Sequence, residues 1–141
     1  MTTPTYDSVE IGAELPAQAF AVRREHLIRY AGASGDFNVI HWSDRLATRV
    51  GLPGVLAHGM FTMALVGRAV TTWAGAADAV VEFSVRFSRP VPVPDTDEGT
   101  EVVVSGTVKE VTDDGLTKLS LTATCNGEKV LSMAQATIRK R

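Results

Sequence analysis

Between Gly59 and Trp73 the chain runs for fifteen residues with one formal charge, Arg68, before Ala74-Gly75 closes the run. Immediately afterwards the period changes. Val81, Phe83, Val85 and Phe87 alternate with Glu82, Ser84, Arg86 and Ser88, the two-residue repeat of a strand with one buried face. A helix that is apolar nearly all round has to be surrounded by other structure. It is also interrupted by Arg68 and shorter than the roughly 18–20 residues of a membrane span, so it reads as a buried helix. A chain of 141 residues buries about 68–70% of its unfolded surface, enough for one such core.

Further strands follow. Val102, Val104 and Val108 form a second alternating run, and Leu119, Leu121, Ala123 and Cys125 a third, with Asp113-Asp114-Gly115 as the turn between them. Asn126-Gly127 is a two-residue hairpin signal into a last strand, Lys129 to Arg139. Pro90, Pro92 and Pro94 end the first alternating strand or mark an edge. Upstream, Ala17 to Arg23 reads as a strand and Arg24 to Ala33 as a short amphipathic helix ending near Gly35. Another short helix covers Ser43 to Val50, with Ser43 as N-cap and Gly51 as stop. The expected architecture is α+β: one domain over 1–141, an antiparallel five-stranded sheet wrapped around one long central helix.

Charge and cysteine usage exclude several classes. A net charge of -2 and a pI near 5.9 provide no basic stripe for nucleic acid, and Arg139-Lys140-Arg141 reads as a solvated end. The single cysteine, Cys125, forms no internal disulfide and fits a reducing, cytoplasmic setting. Met1 to Asp7 lacks the basic region and apolar run of a signal peptide.

The chemistry concentrates between Tyr30 and Asp44. Asp36 and His41 stand five positions apart, about 140° apart on a helix and roughly 17 Å apart on a strand, so neither regular structure unites them. A turn does, and Gly35 and Asn38 supply one through φ > 0 and side-chain-to-backbone bonds. The spacing admits two readings: an acid and a base gathered for proton transfer, or an Asx-turn aspartate beside a buried structural histidine. Gly59 falls in the first turn of the long helix, where amide N–H groups lack intrahelical partners and the dipole is positive. It serves either as an oxyanion donor or for close packing. His58 reads as a helix-start histidine and His26 as solvated. Ser34 and Ser43 read as caps, Cys125 as core, and Trp42 and Trp73 as core or pocket lining. Arg68 must find an acidic partner, a carbonyl or a subunit seam. No His-x-x-x-His spacing or carboxylate cluster supports a metal site.

Tyr30-Ala-Gly-Ala-Ser34-Gly35-Asp36-Phe-Asn38-Val-Ile-His41-Trp-Ser43, Ala57-His58-Gly59-Met60 and Val85-Arg-Phe-Ser-Arg-Pro90-Val91 together resemble the MaoC-like (R)-specific enoyl hydratases and (3R)-hydroxyacyl-ACP dehydratases. More narrowly, the chain resembles the catalytic B subunit of the actinobacterial heterodimeric dehydratases. Val39 departs from the usual Pro, and Pro94 from a Gly often found there.

The resemblance implies the hot-dog fold and a cofactor-free lyase. It would convert (3R)-hydroxyacyl thioesters, on acyl carrier protein or CoA, to trans-2-enoyl thioesters in fatty-acid synthesis. Asp36 and His41 would be catalytic. Gly59 would bind the thioester oxygen, with Asn38 beside the pair. A homodimer, or a heterodimer with a related hot-dog subunit, is also implied. The alternatives are an (R)-specific enoyl-CoA hydratase serving β-oxidation or polyester precursors, and a non-catalytic acyl-binding subunit of a heterodimer. A thioesterase fits the Asp–Asn–His arrangement less well.

Overall fold

The fold comes from a computed structural model that describes residues 9–139, so the readings of Met1 to Asp7 and of Lys140-Arg141 lie outside the described residues. Strand β1 (Glu14–Val22) leads into helix α1 (Arg24–Ser34), a 3-10 turn (Val39–His41), helix α2 (Asp44–Arg49) and the long helix α3 (Gly59–Ala74). Strands β2 (Val80–Phe87), β3 (Thr100–Val111), β4 (Leu116–Cys125), β5 (Glu128–Lys129) and β6 (Leu131–Arg139) complete the chain. All pairings are antiparallel, in the order β1-β3-β4-β6-β2, with β5 also on β4.

The alternating runs set the register. Val102 pairs with Cys125, Val104 with Ala123 and Val108 with Leu119, and Leu119 in turn faces Ala136. All of these side chains are buried on the face that covers α3. Asn126 and Gly127 take φ of 51° and 77°, as a type I′ hairpin requires. The last strand differs from the expected single run. It breaks at Val130 into β5 and β6, and its pairing with β4 slips between Cys125↔Glu128 and Leu121↔Ala134, where Met133, inside β6, sits at φ 48° in a bulge. Bulges bend a strand and raise its twist, which curls this sheet around the helix.

Helix α3 buries Thr62, Leu65, Val66, Ala69, Val70 and Trp73, spaced three and four apart. The expectation of a helix enclosed on all sides is corrected here: Met60, Ala64, Arg68 and Thr72, each four residues on, are exposed. The sheet reaches around only part of the cylinder, so a stripe is left open. Arg68 therefore needs no buried partner, and its guanidinium lies 5.6 Å from the centroid of the Phe20 ring. His26 is likewise not simply solvated, because its Nδ1 accepts the Arg23 N–H and caps α1.

Two close approaches seat α3 against β2. A Cβ on Gly59 would come within 3.2 Å of the Phe87 ring, and one on Gly67 within 3.4 Å of Phe83. The eight-residue helical interval spans about 12 Å and the four-residue strand interval about 13 Å, so the two pairs match in antiparallel sense. Strand β2 is one edge of the sheet, β1 being the other, and Val81 and Phe87 remain exposed, so its alternation buries less than the sequence predicts. No described helix is long and apolar enough to cross a membrane.

At Gly106, in the middle of β3, a Cβ would lie 2.9 Å from both Leu121 Cδ2 and the Ser120 carbonyl oxygen. Gly106→Ala is expected to lower the unfolding free energy by ~1–3 kcal/mol through overpacking, read by urea titration. Unchanged stability would contradict this packing.

Candidate active site

Short-range hydrogen bonds make the bend between α1 and the 3-10 turn. Gly35, at φ 77°, ends α1 by donating to Ala31 O. The Asp36 N–H then donates to Ser34 Oγ (3.2 Å), the Asn38 N–H to Asp36 Oδ1 (3.1 Å) and the Ile40 N–H to Asn38 Oδ1 (3.2 Å). Consecutive Asx-type bonds bracket Val39, so the turn closes without the proline ring. Asn38 holds the turn and is not part of the wall of the neighbouring cavity.

The bend brings Asp36 Oδ2 to 3.8 Å from His41 Nε2. That is too long for a direct hydrogen bond but within ion-pair distance when His41 carries a charge. Their surroundings differ. Asp36 is half-exposed, at 51% for the side chain, whereas His41 is buried. The opposite nitrogen of His41, Nδ1, lies 2.7 Å from the Leu56 carbonyl oxygen. A carbonyl only accepts, so Nδ1 carries the proton, and in the neutral ring Nε2 is left with a free lone pair.

Leu56 is itself held. Its N–H donates to Ile40 O (3.0 Å), while the neighbouring Val55 N–H donates to Asp44 Oδ1 (2.9 Å). Arg24 clamps both oxygens of Asp44 at 2.8 and 2.9 Å, and its Nε donates to Val93 O at 2.7 Å. The Arg24 guanidinium, followed by the Val55 amide, holds the Asp44 carboxyl below the usual carboxylate range. The sequence gives no sign of the part played by Arg24, Asp44 and Leu56. The first two look like surface charges, and a main-chain carbonyl leaves no signature.

His58 lies at the junction with α3. It is 1% exposed, and its ring stacks on His41 with centroids 3.8 Å apart and planes 23° from parallel. Its Nε2 is 3.1 Å from the Asp36 carbonyl oxygen. Asp36, His41 and His58 have donor atoms within 4.8 Å of one another. Nearly parallel rings do not converge their lone pairs on one cation, however, and His58 Nε2 already serves as a donor.

Gly59 begins α3, which has no side-chain cap. The Phe61 and Thr62 N–H groups turn back to His58 O, leaving the amides of Gly59 and Met60 without intrahelical partners. A cavity of about 370 Å³ opens here, walled by His41, Gly59 and Thr62 and by apolar residues including Leu56, Val91 and Leu131. Of the expected site residues, the cavity wall unites His41 and Gly59; Asp36, like Asn38, is not part of it, and its Oδ2 lies 3.8 Å from His41 Nε2. Trp73 is core. Trp42 is exposed and donates from Nε1 to Phe37 O at 2.9 Å.

The family model described as MaoC like domain matches residues 8–124. The chain is 42% identical over 81 residues to 3-hydroxyacyl-thioester dehydratase X of Mycobacterium tuberculosis, covering 57% of this chain and 28% of that protein. A solved MaoC-like dehydratase aligns with a TM-score of 0.92 and 35% identity, over 98% of this chain and 42% of that one. The C-terminally truncated HadBC complex of M. tuberculosis, a (3R)-hydroxyacyl-ACP dehydratase, shares the fold at a TM-score of 0.67 and 20% identity, over 91% of this chain and 95% of that one. The chain thus spans less than half the length of the first two relatives. It has the hot-dog architecture and belongs to the MaoC-like domain family.

Proposed function

We propose that this chain dehydrates (3R)-hydroxyacyl thioesters reversibly to trans-2-enoyl thioesters, with Asp36 and His41 as the reacting pair. The observation that carries this reading is the 2.7 Å bond from His41 Nδ1 to Leu56 O, which in the neutral ring leaves Nε2 bare, 3.8 Å from the Asp36 carboxylate. His41 Nε2 accepts a proton from C2 of the substrate, and the imidazolium so formed faces that carboxylate. The C3–O bond then breaks, and the departing hydroxide takes a proton from the pair and leaves as water. Hydration runs the same steps backwards. Each positioned acid or base supplies ~10²–10⁴-fold.

Negative charge that develops on the thioester oxygen is met by the Gly59 and Met60 amides at the positive end of α3. A donor of this kind is worth ~10²–10³-fold. Asn38 supports the pair through the turn. The carrier, acyl carrier protein or CoA, is distinguished by relative rates on the two thioesters, and no cofactor takes part.

The half-exposed Asp36, the free edge of β2 and the open stripe on α3 favour a site completed by a second hot-dog subunit, identical or related. A heterodimeric B subunit acting in fatty-acid synthesis in the cytoplasm is the narrower form of this reading, and a homodimer is compatible with the same features. If the chain were only an acyl-binding subunit, isolated and co-expressed preparations would both lack turnover dependent on Asp36.

Asp36→Asn and His41→Gln are each expected to reduce turnover of a 3-hydroxybutyryl thioester by ~10²–10⁴-fold while preserving the thermal transition. Near-normal activity in either variant rejects the assignment. Asp44→Ala releases the Val55 amide and hence Leu56, and it is expected to lower kcat by up to ~10²-fold with KM little changed. Wild-type kcat in that variant would show that the Arg24–Asp44 clamp does not position His41.

A further inference from the structure

The N-cap position of α3 holds a histidine that does not cap. His58 has φ -58° and ψ 133° and makes no side-chain bond to the helix amides, although Ser, Thr, Asp or Asn normally fills such a position. It is also one of the largest fully buried side chains in the described chain. A polar ring removed from water is costly unless its hydrogen bonds are replaced, and only one of its two nitrogens is satisfied. Nε2 reaches Asp36 O, while Nδ1 is buried with no partner.

We propose that His58 is a positioning residue for the Asp36–His41 pair: an imidazole fixed as the Nε2–H tautomer that clamps the Asp36 main chain and carries the His41 ring on its face. This rests on the functional reading above and extends it to a residue that touches neither reacting atom.

Three links run through this residue, two of them by way of its ring. Its Nε2–H fixes the Asp36 carbonyl, which anchors the residue bearing the carboxylate. Its face stacks on His41 at 3.8 Å and, with the Leu56 bond, leaves that imidazole little freedom to tilt. Its own main chain immediately precedes Gly59, so the same residue ties the pair to the amide end of α3. Tyr30, from α1, closes the remaining side, with ring centroids 4.7 Å apart.

Neutrality follows from the same geometry. Because the Asp36 carbonyl can only accept, the proton sits on Nε2 and the Nδ1 lone pair faces a site without a donor or acceptor. A second proton would bury an unpaired N–H beside a His41 ring that becomes cationic during turnover. The groups facing His58 are His41 and Asp36 from the turn and Tyr30 from α1. Burial, opposed by the Asp36 carbonyl bond and reinforced by His41, holds the His58 pKa below its ordinary value of 6.5. The unfolded chain therefore binds more protons than the folded one in mildly acidic solution. The stability contributed by neutral His58 is fully present above about pH 6.5 and is lost as the pH falls below it.

The test uses the full chain labelled with ¹⁵N and long-range ¹H–¹⁵N spectra of its imidazoles. The expected result is a His58 signal with a protonated Nε2 and a mostly bare Nδ1 from pH 8 down to pH 6.5, where an ordinary imidazole is half protonated. A His58 ring that is half or more imidazolium at pH 6.5, or an Nδ1–H tautomer, would overturn the proposal. In kinetics, His58→Phe keeps a flat ring but loses the donor. It is expected to cut kcat on the order of 10–100-fold with KM nearly unchanged, and His58→Gln, which restores a donor amide, should recover part of the loss. Wild-type kcat in the Phe variant overturns the clamp. Should that variant not fold, the wild-type spectra and the Gln variant still decide. An inactive wild type would sink the dehydratase reading but leave the spectroscopic result for His58 intact.

Discussion

The site depends on a single main-chain oxygen. Leu56 O, accepting from His41 Nδ1 at 2.7 Å, selects which nitrogen of that imidazole is bare and where it points. If this acceptor moved away, Nε2 could take the proton and the ring would face Asp36 as a donor. The oxygen is placed by a chain of stronger contacts: Arg24 on Asp44, Asp44 on the Val55 amide, and Leu56 on Ile40. Charge-assisted bonds at 2.7–2.9 Å are roughly twice as strong as neutral ones, which suits the outer part of a support whose inner part is one carbonyl.

The hot-dog layout explains how acid, base and helix end meet. The sheet curls around α3 because of bulges such as that at Met133, and α3 is drawn to the edge strand by Phe83 over Gly67 and Phe87 over Gly59. Gly59 thereby has two roles. Lacking a Cβ, it admits Phe87 to the cavity wall, and as the first residue of α3 it presents its amide there. A side chain at this position would crowd the Phe87 ring, so close packing of the glycine is seen directly, and the proposed oxyanion role is compatible with it.

What the sequence made legible was local or periodic. The turn around Asp36 and Asn38 closes through bonds spanning two residues, and Ser43 caps α2 through Leu46 N, so both could be read from neighbours. The β3, β4 and α3 runs were legible from their period. The contacts that escaped notice join distant positions: His41 to Leu56 across 15 residues, Arg24 to Asp44 across 20 and His58 to Asp36 across 22. Nothing in residue type distinguishes such an arginine or histidine from a solvated one. The open stripe of α3 escaped for another reason. Met60 and Ala64 are apolar, so composition cannot report that the sheet stops short of them.

The most direct test of the central claim is a crystal structure of the full chain with an unreactive 3-hydroxyacyl thioester analogue bound. The account predicts C2 of the analogue about 3–3.5 Å from His41 Nε2 and the thioester oxygen about 2.7–3.1 Å from the Gly59 amide, with the acyl chain in the cavity below. A thioester bound away from the start of α3, or His41 Nε2 turned from C2, would contradict it.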